Sequence, residues 1–135
     1  MARRAGVSAD VQRILDDPGD RQTLIVLFIP SHDKDDNELP NQDVWADSAL
    51  DLFAEQFDGA TAFLTYAGIY RDKTRGKNLR DKPILVECYT LIDNVNDPAK
   101  LTVLVEFMKR MGRECRQAAV GVVIKNSFHE ITDFD

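Results

Sequence analysis

Apolar residues along this chain recur at two spacings, one that suits strands and one that suits helices. TLIVLFI, residues 23–29, is β-branched and aromatic, too short for an ordinary helix and closed by Pro30, so it predicts a first strand. Leu24, Val26 and Phe28 fall on one of its faces and Ile25, Leu27 and Ile29 on the other. A strand apolar on both faces predicts a central position with cover on each side. After a polar loop, Trp45, Ala49, Leu52, Phe53 and Phe57 share one stripe at helical spacing. With Asn41 as a candidate cap and Gly59 just past the end, they predict a helix over 42–57.

ATAFLTYAGIYR (60–71) and KPILVECYTLI (82–92) are rich in β-formers and flank the polar DKTRGKNLRD, which predicts a two-stranded hairpin with a long tip. Asp97 and Pro98 then open a second helix, because proline at a first helical position gives up an N–H that has no partner there anyway. Its stripe is Leu101, Leu104, Val105, Met108 and Met111, with Gly112 near the end. AAVGVVIK (118–125) is the last strong strand, and SFHEI (127–131) either extends it or turns back as a short edge strand. Ahead of all this, SADVQRILD (8–16) reads as a short helix capped by Ser8, with Val11, Ile14 and Leu15 at amphipathic spacing and a stop at Pro18 and Gly19.

The order β-α-β-β-α-β is that of a ferredoxin-like α+β sandwich, a four-stranded antiparallel sheet with two helices on one face. A chain of 135 residues holds one such domain. It is expected over 23–131, with 1–22 as an N-terminal appendage and 132–135 as a tail. Two helices cover only one sheet face, so the doubly apolar first strand requires a second cover. The N-terminal segment, the tail or a second copy of the same face would supply it. A homodimer is expected, with Ile25, Leu27 and Ile29 as the residues it hides.

Composition narrows the function classes. Hydrophobic residues make up 44% and charged residues 30%, as in ordinary globular chains. No apolar run approaches the roughly 18 residues that span a bilayer, so no membrane association is expected. MARRAGVSADVQ has two arginines but no apolar stretch behind them, and cytoplasm is the default location. A net charge of −6 works against nucleic acid, whose phosphates require clustered cations. Arg71, Lys73, Arg75, Lys77, Arg80 and Lys82 form a local run, read as a solvated hairpin tip. The two cysteines, Cys88 and Cys115, have neither a disulfide nor a zinc spacing and are expected to be reduced thiols.

Trp45 early in the first helix, FDGATAFLTYAGIY at 57–70, the strand PILVECY after a charged tip, and RQAAVGVVI after the second helix resemble an uncharacterised bacterial family of small ferredoxin-like proteins. The resemblance covers about two thirds of the chain and departs from it in the loop SHDKDDNELPNQ and the tail NSFHEITDFD. It implies the fold and a tendency to pair, and it carries no catalytic residues.

Candidate chemistry sits in few places. His32, Asp33 and Asp35 leave the end of the first strand, where a hard cation would suit clustered carboxylates. No calcium-loop glycine, second histidine or basic face supports them, so a solvated loop without metal is expected. Glu87 lies in mid-strand and by alternation shares a face with Leu85, Tyr89 and Leu91, while Ile84, Val86 and Cys88 face the helices. Arg71 or Lys125 is its expected counter-ion on a neighbouring strand. Tyr66, Tyr70 and Tyr89 are read as core or interface aromatics that would otherwise line a cleft. His129 near the end is read as structural or exposed, remote from His32 in sequence. No nucleophile–histidine arrangement and no phosphate-binding glycine loop is present, and no cofactor is expected.

The leading expectation is therefore a non-catalytic binding or assembly module, a cytoplasmic homodimer joined through its sheet face and holding a protein partner or small ligand. The alternative is a small enzyme with a cleft on the sheet face at the dimer interface, using Glu87, Tyr89 and Arg71. A metal-dependent nuclease built on Asp33 and Asp35 ranks third.

Overall fold

A computed structural model describes residues 8–15 and 22–135. In chain order the elements are α1 (Ala9–Ile14), β1 (Gln22–Ile29), α2 (Gln42–Phe57), β2 (Thr61–Leu64), β3 (Gly68–Asp72), β4 (Lys77–Asp81), β5 (Ile84–Leu91), α3 (Ile92–Val95), α4 (Pro98–Glu114), β6 (Val120–Ile124) and β7 (Ser127–Ile131). The fold is α+β, with antiparallel pairing throughout. The expected four-stranded sheet is not what forms. Five strands lie in the order β2-β5-β1-β6-β7, and β3 pairs with β4 in a separate two-stranded sheet.

Two local events account for the difference. SFHEI turns back on β6 across Lys125 and Asn126, with Lys125 in the left-handed region (φ 61°), and so adds an edge strand. The segment 60–71 is not one strand, because its pairing with β5 stops at Leu64 opposite Ile84. Pro83 precedes Ile84 and has no N–H to give to a ladder, while its carbonyl accepts from Thr65 Oγ1 at 2.7 Å. The chain then leaves the sheet as the β3–β4 hairpin. Its turn is set by Asp72, whose Oδ1 accepts from the backbone N–H of Thr74 and of Arg75, both at 3.1 Å.

The hairpin is clamped at its base. Asp81 Oδ1 accepts from the backbone N–H of Ser31 at 2.9 Å and from the Ser31 hydroxyl. Ser31 Oγ in turn accepts from Lys82 N at 2.9 Å. Gln42 adds a second tie from the start of α2, donating to the Ile29 and Lys82 carbonyls at 3.1 and 2.8 Å. Asn41 stands at the N-cap of α2 but makes no side-chain cap bond. Asp97 caps α4 as expected, accepting from Ala99 N at 2.9 Å.

The register of β1 on β5 decides which face is the core. Ile25, Leu27 and Ile29 stand opposite Cys88, Val86 and Ile84, and all three are fully buried beneath Phe53, Phe57, Leu104, Met108 and Met111 of the helices. The expectation that they form the open face is thus reversed. Leu24, Val26 and Phe28 are on it, beside Tyr89, Glu87 and Leu85. Val123 and Phe128 continue this second apolar surface across β6 and β7. Phe128 lies against Phe28, ring centroids 5.9 Å apart and nearly perpendicular, over Gly121, where an added Cβ would come within 2.6 Å of its ring. On α1, Ser8 caps as expected, yet Ile14 and Leu15 are exposed. The predicted stop at Pro18 and Gly19 lies outside the described residues.

The tail docks on α4. Phe134 packs against Gly112, its carbonyl accepts from Arg113, and Lys109 donates to the Asp135 carbonyl at 3.1 Å. Gly112→Ala places a methyl group in the Phe134 ring. Overpacking costs about 1–3 kcal/mol, whereas alanine returns about 1 kcal/mol of helix propensity, so a net loss of stability is expected in denaturant titration. In a Phe134→Ala background the same change should become stabilising, and the sign reversal identifies the ring as the cause.

Candidate active site

A cavity of about 280 Å³ opens at the β2 end of the sheet, lined by Asp58, Gly59, Ala60, Thr61, Phe63, Glu87, Cys88 and Tyr89. Its floor is β5 and its wall is the connection from α2 into β2. That connection turns sharply because Asp58 ends α2 in the left-handed conformation (φ 71°) and Gly59 follows at φ 144°, an angle that suits glycine. The register places Thr61 directly opposite Glu87 and Phe63 opposite Leu85. Phe63 and Tyr89 are 46% and 62% exposed, so two aromatic side chains at the cavity are open to a ligand.

Glu87 is half-buried, and its carboxylate has no hydrogen bond or ion pair among the described residues. Neither expected counter-ion reaches it. Arg71 lies on the separate hairpin and donates to Asn78 at 3.4 Å, and Lys125 is exposed at the β6–β7 turn, its N–H donating to the Leu24 carbonyl at 2.8 Å. Tyr66 is 92% exposed between β2 and β3, and Tyr70 stacks over Gly68, its phenol pushed up by burial and by Asp81. Of the residues singled out from the sequence, the cavity gathers Glu87 and Tyr89. Asp58, Thr61 and Phe63 were not singled out, since Asp-Gly after a helix reads as cap chemistry and the approach of β2 to β5 depends on strand order.

The cavity is anionic. Asp58 and Glu87 line it, and among the described residues no cation does. Both act on Cys88, whose thiol is pushed up to about 11, chiefly by burial and then by Glu87 and Asp58. Cys88 therefore remains protonated at neutral pH and is no nucleophile. Such a site suits a cationic ligand with an apolar or aromatic body.

The other polar clusters are structural. Ser31, His32 and Asp81 contain triad residue types, but His32 Nδ1 faces both Ser31 Oγ at 2.7 Å and Asp81 Oδ1 at 4.0 Å. A relay requires serine and carboxylate on opposite ring nitrogens. In the acidic loop, Asp33 accepts from the N–H of Asp35 at 2.8 Å and of Asn37 at 3.0 Å, and the Asn37 bond above all holds its carboxyl below the usual range. Asp35 is paired with Arg116 at 2.9 Å and Arg75 at 3.4 Å. His129 is exposed on β7, opposite Val122. Among the described residues no group of three potential ligands is arranged to hold a metal, and no helix is long and apolar enough to cross a membrane. Calorimetric titration with manganese or magnesium is expected to give no saturable heat. Micromolar binding lost in both Asp33→Ala and Asp35→Ala would overturn this reading of the loop.

No protein-family model and no curated protein matches the chain by sequence. Two solved structures share its fold. One is a phage SAM lyase in complex with S-methyl-5'-thioadenosine, with a TM-score of 0.61 and 15% identity over 85% of this chain and 92% of that one. The other is a phage SAM lyase in the apo state, with a TM-score of 0.55 and 14% identity over 84% and 92%. The likeness is one of fold. It overturns the expectation of a non-catalytic module, because the two solved structures that share this fold are those of a lyase.

Proposed function

We propose that the protein is a small enzyme that cleaves a cationic adenosyl sulfonium, S-adenosylmethionine or a close analogue, and releases S-methyl-5'-thioadenosine from the cavity between β2 and β5. The supporting observation is the cavity's cation-free lining with two carboxylates, found on the fold of an enzyme solved with that thioether bound. Breaking the bond between sulfur and the amino-acid side chain sends the electron pair to sulfur and neutralises it. The four-carbon fragment is completed by its own carboxylate closing on the freed carbon, which balances the reaction without water or cofactor.

Electrostatics assigns Glu87 a role. A carboxylate against the sulfonium itself would hold the ground state, because that charge disappears as the bond breaks. The substrate ammonium keeps its charge throughout, so Glu87 serves best by holding it. Tyr89 and Phe63 supply faces for the adenine ring or the sulfonium. Arg71, on its separate hairpin, is left out of this assignment.

The β2-β5-β1-β6 core is read here as a ferredoxin-like split βαβ unit extended by β7. A second copy is proposed on the open face that carries Leu24, Phe28 and Phe128, and a cytoplasmic setting accords with two unpaired, buried thiols. The test is to incubate the purified protein with S-adenosylmethionine and follow both compounds by chromatography and mass spectrometry. Thioether should appear as sulfonium disappears, with no added cofactor. Unchanged sulfonium would overturn the reading.

A further inference from the structure

The second carboxylate of the cavity is held in a way that Glu87 is not. Asp58 Oδ2 accepts from Asn94 Nδ2 at 3.3 Å, its one side-chain bond among the described residues. The same nitrogen donates to Thr90 Oγ1 at 2.9 Å, and Asn94 Oδ1 accepts from Lys100 Nζ at 2.8 Å. An ammonium only donates, so Lys100 fixes which end of the amide is oxygen and turns the NH₂ toward Asp58 and Thr90. Thr90 is 2% exposed, which anchors the amide from the core side. The carboxylate is thereby steadied at the cavity wall, next to a glycine that leaves the space beside it open.

We propose that Asp58 is the ribose-binding residue, accepting from the 2' and 3' hydroxyls of the adenosyl group, and that Asn94 is its positioning residue. This rests on the adenosyl reading of the cavity. The two carboxylates differ in what they suit. Asp58 already accepts from an amide polarised by Lys100, which partly answers its charge, so neutral hydroxyl donors complete it. Glu87 has no such partner and is left for the cation. A carboxylate with two acceptor oxygens also matches a vicinal diol, the pairing that acidic residues make with ribose elsewhere.

The test uses calorimetry on the full chain with S-methyl-5'-thioadenosine and its 2',3'-dideoxy counterpart. The wild type should bind the diol about tenfold more tightly, the worth of a charge-assisted hydrogen bond. Asp58→Asn keeps a residue at home in the left-handed region and should bring the ratio of the two affinities near one. Asn94→Ala should lower that ratio several-fold while leaving the dideoxy affinity unchanged. A purely structural role would weaken both probes alike and keep the ratio, which overturns the proposal. Wild-type binding of the diol with an unaltered ratio in Asp58→Asn sinks the ribose assignment alone. Failure of the wild type to bind either probe sinks the adenosyl reading with it.

Discussion

Glu87→Gln is expected to lower kcat/KM for thioether release by about 100-fold, or about 2.7 kcal/mol, and to leave the folded protein as stable as the wild type or more so. The substitution keeps the shape and removes the charge. In a protein where Glu87 answered a buried cation, that cation would be left unpaired at a cost of several kcal/mol. Here no described cation is within ion-pair distance, so nothing is orphaned. Removing the charge also relieves a half-buried carboxylate that shares a cavity with Asp58, and functional groups of this kind are commonly held at some expense to folding. The ligand meets the opposite balance, because its ammonium loses a charged partner in a partly desolvated site. Steady-state assays and chemical denaturation on the same preparations separate the two effects. Lost stability with unchanged kcat/KM would return Glu87 to a structural role and remove the electrostatic basis of the site.

Glu87 was legible from the sequence because alternation along β5 needs no knowledge of other strands: Ile84, Val86 and Cys88 are apolar at every second position, and Glu87 must then face away from them. Trp45 to Phe57 and Leu104 to Met111 were legible for the same reason at helical spacing. What was hidden depends on contacts between distant residues. TLIVLFI is apolar on both faces, so nothing local says which face meets the helices; the register with β5 decides it. The departure of β3 from the sheet rests on Pro83 and on Ser31 meeting Asp81, fifty residues further along the chain. Asp58 drew no attention in the sequence, lying between the helix predicted over 42–57 and Gly59, and it is the residue that caps that helix. Its second role exists only because β2 returns beside β5 and α3 brings Asn94 to it.

The second copy proposed on the open face should be lost in Phe28→Glu, with the monomer left folded. Leu24, Phe28, Leu85, Val123 and Phe128 lie together on the face away from the helices, with Leu91 and Phe128 44% and 56% exposed. Each large side chain taken out of water contributes about 1.5–3 kcal/mol, and a face of several such residues is what a self-complementary interface requires. A carboxylate at its centre, facing its own copy across the symmetry axis, would meet an apolar surface and a like charge. The monomer tolerates the change better, since Phe28 stands outside the cluster formed by Ile25, Leu27 and Ile29 with the helices and gives up mainly its edge contact with Phe128. That contact contributes about 0.5–1.5 kcal/mol, against the loss of several apolar contacts at an interface. Sedimentation velocity of the wild type at micromolar concentration should give a multiple of the monomer mass, and Phe28→Glu a single monomer with unchanged far-ultraviolet circular dichroism. A wild type that is already monomeric under those conditions would show that no second copy covers this face.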